Sequence, residues 1–277
     1  MQASIIVPSR ECQYLKYLLR SLRYQTVKPY EIILVIKECN TRAVENLCRE
    51  HNLPCVVIEQ KEGYFTHALN IGKKEAHGDI IVFTDDDAIA PRRWLERWTR
   101  YHRLYRTIAG ISSRDIHLNL NRLKVLPTPD DRPSTRLYRW FIRPWLEQPH
   151  PLFAKYRLGV YLTKTLEIAH GPYIPYRTCY SLPFRGVNMS FKNEYVYDVW
   201  FPEHPELKIA PGNEQYFGIQ LILKSHGMIY VPSNPILHIA HRSLSRSRDE
   251  IRSSRIKYEM SILKKLLIEL LKKSSAL

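Results

Sequence analysis

The chain has 277 residues, of which 44% are hydrophobic and 11% aromatic. This length and composition exclude wholesale disorder and allow one large α/β domain, or a domain of ordinary size with an appendage. Lysine and arginine together number 42 against 27 aspartate and glutamate residues, which gives a formal net charge of +15. A positive field of that size favours anionic partners, which include nucleic acid, anionic lipid surfaces and phosphate-bearing small molecules.

The five cysteines are odd in number and form no CxxC pair; they are Cys12, Cys39, Cys48, Cys55 and Cys179. This pattern argues against a disulfide framework and a structural zinc site, and it is typical of a reducing compartment. The N-terminus begins as a short strand without the longer apolar run of a signal peptide, and no stretch approaches the ~20 apolar residues that span a bilayer. We therefore expect a cytoplasmic protein, with peripheral contact at a membrane surface left open.

Apolar runs alternate with segments of helical spacing in the first third of the chain. Strands are predicted over residues 3–7, 31–36, 55–58 and 79–84, and helices over 14–24, 44–51 and 66–76. This alternation predicts βαβ units and a largely parallel sheet. Ligands of such sheets bind at the carboxyl ends of the strands.

The pattern changes after residue 126. Prolines interrupt residues 126–184, so long regular elements are not expected there, and aromatic rings alternate with arginines and lysines. Order resumes over residues 184–191, followed by a predicted helix over 216–225 and a strand over 228–231. Residues 243–255 are rich in serine and arginine and are predicted to be mobile. Residues 256–273 form an amphipathic helix with lysines opposite its apolar face.

Three adjacent carboxylates, Asp85, Asp86 and Asp87, follow a buried strand directly. Such carboxylates repel one another, and a divalent cation with oxygen ligands would offset that repulsion. The alternation of side chains along an extended segment sends Asp85 and Asp87 to the same side. A solvated acidic turn that caps a helix beginning near Pro91 is the alternative. The position at the strand end, ahead of Pro91 and Trp94, favours the metal interpretation.

Several motifs occur in a fixed order along the chain. They are IIVPSRE over residues 5–11, NIG over 70–72, AHGDIIVFTDDD over 76–87, PRRWL over 91–95, FRGVNMSF over 184–191, GNE over 212–214, YVP over 230–232, and His238. In this order they resemble the motifs of family 2 glycosyltransferases across roughly residues 3–240. Two positions depart from the family: Ile36 and Lys37 replace the acidic pair that usually ends the second strand, and Asn213-Glu214 replaces the usual Glu-Asp.

The resemblance implies a GT-A fold, which is an α/β, Rossmann-like, mostly parallel mixed sheet flanked by helices, here with a C-terminal amphipathic helix. It implies a donor-binding half over residues 1–125 and an acceptor-binding half of the same domain over 126–242, followed by a basic linker and helix over 243–277. The implied reaction is a metal-dependent transfer, with inversion, from a nucleotide-diphosphate sugar (UDP- or GDP-sugar) to an acceptor hydroxyl. The implied cofactor is Mn²⁺ or Mg²⁺, and the acceptor could be phosphate-bearing or lipid-linked.

The resemblance also assigns residues to roles. Metal ligands are expected at Asp87, Asp85 and His238, and the catalytic base is expected at Glu214. Nucleotide-sugar contacts are expected from Pro8, Ser9, Arg10, Glu11, Glu38, Asn70, Gly72, Asp85 and Asp86. The acceptor side is expected to include Gly186, Asn188, Met189, Arg139 and Arg143.

Other interpretations of these features stay open on the sequence alone. Glu214 could be a first-turn residue favoured by the helix dipole, and His238 could be structural. The arginine- and ring-rich segment could pack its rings and solvate its arginines, serve the acceptor at a membrane boundary, or stack single-stranded nucleic acid.

Two other functions compete with glycosyl transfer. A nucleotidyltransferase usually has a glycine-rich basic loop after its first strand, and Pro8-Ser9-Arg10-Glu11 is not such a loop. A non-catalytic nucleic-acid-binding protein would leave the acidic triplet unexplained, and no helix-turn-helix, zinc finger or RNP motif is present in the sequence. A nucleic-acid partner is therefore not favoured.

Overall fold

The computed structural model describes residues 1–128, 133–240 and 250–275. The helices are α1 Leu15–Arg23, α2 Thr41–Glu50, α3 Phe65–Lys74, α4 Trp94–Leu104, α5 Pro133–Leu137, α6 Arg143–Leu146, α7 Asn193–Val196, α8 Asn213–Leu223 and α9 Glu250–Ser275. The strands are β1 Ala3–Ser9, β2 Glu31–Ile36, β3 Cys55–Glu59, β4 Ile80–Phe83, β5 Ala88–Ile89, β6 Ile108–Ser112, β7 Asp115–Asn119, β8 Lys124–Leu126, β9 Val160–Leu162, β10 Ile168–His170, β11 Cys179–Tyr180, β12 Met189–Lys192, β13 Gly227–Tyr230 and β14 Ile236–Ile239.

The main sheet has eight strands in the described residues, in the order β11-β13-β6-β12-β4-β1-β2-β3. The four strands β4, β1, β2 and β3 run parallel, and β12 runs antiparallel to both β4 and β6. This mixed α/β sheet flanked by helices confirms the predicted fold class. Because β12 comes from the second half of the chain, both predicted halves contribute strands to one sheet.

The local sequence explains why these elements form. Every residue of β1 and β4 is buried, as expected for central strands covered on both faces. Helix α1 buries leucines 15, 18, 19 and 22, which its helical spacing places on one face. Helix α3 approaches β1 closely, since a Cβ added to Gly72 would lie 2.4 Å from Ile6 Cγ2. Only glycine permits that approach.

A second sheet of four strands, in the order β5-β14-β7-β8, was not predicted from the sequence. Strand β14 pairs antiparallel with β5 and parallel with β7. The register places His238 opposite both Ala88 and His117. This sheet therefore brings the segment just after the acidic triplet next to residues far along the chain.

The C-terminal helix α9 docks on the domain. Its buried residues Ile262, Leu263 and Leu267 pack against the core and the loop before α8. Fully buried Glu259 accepts hydrogen bonds from three consecutive backbone N–H groups, those of Lys208, Ile209 and Ala210, at 3.2, 2.9 and 2.7 Å. Residues 243–249 of the segment predicted to be mobile lie outside the described residues. Within the described residues, no helix is both long and apolar enough to cross a membrane.

In the first part of the arginine- and ring-rich segment, residues 138–146, arginines are buried and aromatic rings are exposed, which reverses one of the expected arrangements. Helices α5 and α6 are joined by a π-helical turn, Tyr138–Ile142. Arg139 and Arg143 are buried, whereas Trp140 and Trp145 are 62% and 83% exposed. Arg143 donates to the carboxylate of Glu147 and to the backbone oxygen of His170. The interpretation with packed rings and solvated arginines is therefore wrong for residues 138–146, where Arg143 anchors the segment to the fold. Further along, Phe153 and Tyr156 are buried beside the exposed Lys155 and Arg157, as that interpretation expects.

Candidate active site

The acidic triplet lies at the carboxyl end of β4, where the chain leaves the main sheet and enters the second one. Asp87 is buried, while Asp85 and Asp86 are partly buried. The backbone of the triplet is held between the two sheets. Thr84 N–H donates to Ile6 O at 3.1 Å, and Ile239 N–H donates to Asp87 O at 2.9 Å. The predicted location at a strand end is thus present in the structure, and β5 and β14 fix the geometry.

His238 bridges two buried carboxylates. Its Nε2 lies 3.0 Å from Asp87 Oδ2, and its Nδ1 lies 3.0 Å from Asp115 Oδ2. Burial lowers the pKa of His238, but the hydrogen bonds to Asp115 and Asp87 outweigh burial and raise this pKa to about 10. Burial would also raise the pKa of Asp115, but hydrogen bonds from His117 and His238, with the nearby Arg185 guanidinium, hold it well below its usual range. Without a metal ion, this raised pKa favours the imidazolium, and Nε2 must lose its proton before it can bind a cation.

The donor atoms of the site fit a divalent cation. One ligand atom each from Asp85, Asp87 and His238 lie within 4.8 Å of one another. Burial raises the pKa of Asp85, and the neighbouring charge of Asp87 adds to this shift, as expected for crowded carboxylates that need a counter-charge. Two carboxylate oxygens and one imidazole nitrogen are ligand atoms that a divalent cation can accept. A carboxylate on the other ring nitrogen, as Asp115 provides, orients a metal-binding histidine.

The loops after β1 and β2 lie together beside the triplet. Ser9 donates a short hydrogen bond to Asp86, which brings two residues of the predicted nucleotide site into contact. Arg10 pairs with Glu38 through both Nε and Nη2, at 2.8 and 3.0 Å. Pro8 is buried at the end of β1 and Glu11 is exposed in the loop that follows.

A disulfide joins these two loops, between Cys12 and Cys39, whose Cα atoms are 6.0 Å apart. The prediction against a disulfide framework, made from cysteine number and spacing, is therefore wrong for this pair. Spacing along the chain does not reveal that β1 and β2 are paired with Ser9 opposite Ile36. That pairing places the two cysteines, each three residues beyond it, side by side.

Asn70 and Gly72, which were expected near the nucleotide, make scaffold contacts. Asn70 Nδ2 donates to Phe201 O and Glu203 Oε1 at 3.1 and 2.7 Å, and its Oδ1 accepts from Phe201 N–H at 2.9 Å. Gly72 provides the close approach of α3 to β1. We assign both residues to the packing of α3.

Glu214 lies in the first turn of α8 and is close to the triplet. Burial raises its pKa, which the nearby Arg185 guanidinium partly opposes, and the Glu214 charge in turn contributes to the raised pKa of Asp85. Gly186 lies next to it, since a Cβ added there would sit 4.0 Å from Glu214 Cδ with no closer atom. Arg185 Nε lies 3.7 Å from Asp115 Oδ1, which links Glu214 to the cluster around His238.

Asn188 and Met189, which were expected on the acceptor side, are buried. Asn188 Oδ1 accepts from Trp94 Nε1, and its Nδ2 donates to the backbone oxygens of Arg114 and Asn234, each at 2.9 Å. Met189 is a core residue of β12. Asn188 therefore holds three chain segments together around the site through hydrogen bonds to the protein itself.

An open groove of about 960 Å³ lies beside the site. Aromatic and proline side chains dominate its lining, and Arg114, next to Asp115 in the chain, contributes a cation. The aromatic lining residues are Trp140, Phe141, Tyr173, Tyr176 and Tyr230. Rings with a nearby cation suit an amphipathic or sugar-bearing ligand.

Asp115, His117 and Arg185 belong to the site but were not predicted from the sequence. Asp115 and His117 are two residues apart on β7, so both side chains lie on the same face of the strand, the one that carries His238. The signal was a carboxylate and an imidazole at strand spacing, but its significance depends on the pairing of β7 with β14. Arg185 lies within the FRGVNMSF motif, directly before Gly186.

The first half of the chain matches a known protein family. The family model described as "Glycosyl transferase family 2" matches residues 4–157, more than half of the chain. The "Uncharacterized glycosyltransferase YwdF" of Bacillus subtilis (strain 168) is 38% identical over 84 residues, which span 30% of this chain and 31% of that protein. The match thus covers less than a third of that relative's length.

Two solved structures show the similarity of fold. S. aureus TarS 1-349 in complex with UDP-GlcNAc is 15% identical, with a TM-score of 0.57 over 88% of this chain and 60% of that one. GalNAc-T7 with UDP, GalNAc and Mn²⁺ is also 15% identical, with a TM-score of 0.62 over 87% of this chain and 44% of that one. At this identity the likeness shows the fold alone, and it confirms the GT-A architecture.

Proposed function

Because the chain belongs to glycosyl transferase family 2 and is a glycosyltransferase, we propose that it uses a divalent cation to transfer a sugar from a nucleoside diphosphate sugar to an acceptor hydroxyl, with inversion. The observation that carries the proposal is the cluster of Asp85, Asp87 and His238, whose ligand atoms lie within 4.8 Å of one another at the carboxyl end of β4. Asp85, Asp87 and His238 would hold Mn²⁺, and the cation would neutralise the leaving diphosphate.

The donor is proposed to be a UDP-sugar. UDP and UDP-GlcNAc occupy TarS, and UDP occupies GalNAc-T7, both of which share this fold. In this chain the loops after β1 and β2 would receive the nucleoside, and the Cys12–Cys39 disulfide fixes their separation. Ser9 and Asp86 are in contact beneath these loops, and the Arg10–Glu38 pair borders them.

Glu214 is proposed to act as the general base. A base must be near its target proton and have a pKa tuned towards the working pH, and burial raises the pKa of Glu214. Gly186 has no side chain, which leaves space next to the Glu214 carboxylate for an acceptor hydroxyl. A single displacement needs a base on the acceptor side and a counter-charge for the leaving group. Glu214 and the Asp87 cluster supply these two roles.

The metal assignment is tested by replacing Asp87. We expect Asp87→Ala to abolish Mn²⁺-dependent binding of UDP in calorimetry, because the cation loses one of its three ligands. The matched control is Asp79→Ala, which removes an exposed carboxylate just before the other end of β4 and should leave binding unchanged. UDP binding that survives both EDTA and Asp87→Ala would show that the metal assignment is wrong.

The base assignment is tested by Glu214→Gln, which keeps size but removes basicity. We expect UDP affinity to survive while transfer falls by roughly 10²–10⁴-fold. Glu194→Gln, at an exposed first-turn glutamate of α7, is the control and should be near normal. The anomeric configuration of the product, measured by NMR, should be opposite to that of the donor. Retention of configuration would contradict both the mechanism and the role of Glu214.

A further inference from the structure

The segment from α5 to α6 has its polarity reversed relative to an ordinary surface helix. Six large apolar side chains project outwards, each at least half exposed; they are Leu137, Trp140, Phe141, Ile142, Trp145 and Leu146. We call these six residues the apolar ridge. The charged residues Arg139 and Arg143 instead lie on the buried side, and Arg143 is held there by Glu147 and the His170 carbonyl. A surface helix in water normally has the opposite arrangement.

The apolar ridge is too continuous to be a set of ordinary exposed residues. Single exposed apolar side chains are common, but a contiguous patch of large ones marks an interaction surface. Tryptophan is the side chain most typical of the membrane–water interface, because its ring is apolar and its N–H stays hydrated. Two tryptophans belong to the ridge, and the inward arginines leave its outer face without their charge.

Charge favours an anionic lipid surface over a second copy of the chain. The formal net charge is +15, so two copies repel each other while anionic headgroups attract either one. Near the ridge, the exposed Arg177 guanidinium lies 5.5 Å from the ring centroid of Tyr176, which lines the groove. Since no described helix can cross a membrane, the contact would be interfacial.

The ridge is continuous with the groove beside the active site. Leu137, Trp140 and Phe141 belong to the ridge and also line the groove, together with Arg114. We propose that the apolar ridge inserts into the interfacial region of an anionic lipid bilayer and holds the groove against that surface. A lipid-linked acceptor would then enter the groove from the bilayer, a consequence that rests on the proposed function.

Vesicle binding of the full chain tests the proposal. We expect sedimentation with vesicles of phosphatidylcholine and phosphatidylglycerol, and weaker binding to phosphatidylcholine alone. Trp140→Ser and Trp145→Ser should each lower the vesicle affinity about tenfold, which is the effect of removing one large side chain from an apolar environment. The matched control is Trp200→Ser, because Trp200 is 41% exposed and lies in a different groove, beside Lys73. It should bind as the wild type does.

Quenching of tryptophan fluorescence by brominated lipid separates insertion from charge-driven adsorption. Trp94 and Trp98 are fully buried, and Trp200 lies in a different groove, so these three should stay unquenched. Quenching should therefore vanish in the Trp140→Ser/Trp145→Ser double variant. Unchanged vesicle binding in that variant, or no quenching of the wild type, would overturn the proposal. So would a wild-type dimer in light scattering that Trp145→Ser dissociates, because a second copy would then cover the ridge.

UDP binding separates this inference from the proposed function. All ridge variants should keep wild-type UDP affinity, since the ridge contains none of the proposed metal or nucleotide ligands. Failure of the wild type to bind UDP with Mn²⁺ would contradict the proposed function and leave the vesicle result standing. Normal UDP binding without vesicle binding would contradict only the membrane surface.

Discussion

Replacing Asn188 by alanine tests whether this residue holds the site together or contacts the acceptor. The side chain is fully buried and makes three hydrogen bonds of 2.9 Å, to Trp94 Nε1 and to the backbone oxygens of Arg114 and Asn234. Each such bond contributes about 1 kcal/mol net, and the Trp94 N–H would be left buried without an acceptor. We therefore expect Asn188→Ala to lower the free energy of unfolding by about 3 kcal/mol or more.

Thermal unfolding followed by circular dichroism measures this loss. A loss of about 3 kcal/mol corresponds to a fall in Tm of roughly 6–12 °C for a domain of this size. The control is Asn46→Ala, at an exposed asparagine whose amide contacts Arg49 on the same helix, and its Tm should change little. An unchanged Tm in Asn188→Ala, with a raised KM for the acceptor alone, would refute this holding role and support the acceptor contact that the sequence predicted.

Three further predictions follow from buried contacts. Asp115→Asn should weaken Mn²⁺ binding by about 10–100-fold in calorimetry while the fold persists, because His238 loses the carboxylate that orients it; an unchanged affinity would remove Asp115 from the site. Burial raises the pKa of Glu214, so the acid limb of the pH–rate profile should lie above the range of an ordinary carboxylate. Activity should be lost as the pH falls through that pKa, because the base becomes protonated. An acid limb that persists in Glu214→Gln would have to be assigned to another group. Glu259→Ala leaves three backbone N–H groups without their acceptor. Hydrogen exchange should therefore become faster at residues 208–210 and in α9, because the helix is held less firmly on the domain. Unchanged exchange in α9 would show that Glu259 does not hold the helix there.

The first third of the fold could be predicted because its signals are local. Leucines 15, 18, 19 and 22 define the buried face of α1 by their spacing alone, and EIILVI is an apolar run of strand length that became β2. The acidic triplet was predicted at a strand end and lies there. These features depend on neighbours within a few residues, which a sequence displays directly.

The second sheet could not be predicted for the opposite reason. Strand β5 has two residues and β14 has four, so neither shows a clear period, and their pairing joins positions about 150 residues apart. Asp115 is recognisable as a site residue only through the pairing of β7 with β14. The Cys12–Cys39 disulfide was missed in the same way, since it depends on the alignment of β1 with β2.

The orientation of the arginine- and ring-rich segment shows a different limit of sequence reasoning. Arg139 and Arg143 are four residues apart, so a helix places them on one face, and the sequence indicates that much. It does not indicate which face is buried. Glu147 and the His170 carbonyl decide the matter for Arg143, because a guanidinium that leaves water needs such acceptors to offset its desolvation.

Asn188, Arg114 and Asp115 connect the metal cluster physically to the groove. Arg114 lines the groove, and the next residue, Asp115, orients His238 against Asp87. Asn188 holds the backbone between them through the Arg114 carbonyl. A shift of this short segment would therefore move a groove cation and the histidine's carboxylate partner together. For this reason we expect Asn188→Ala to weaken Mn²⁺ binding as well as stability, although Asn188 touches neither the proposed metal ligands nor the proposed base.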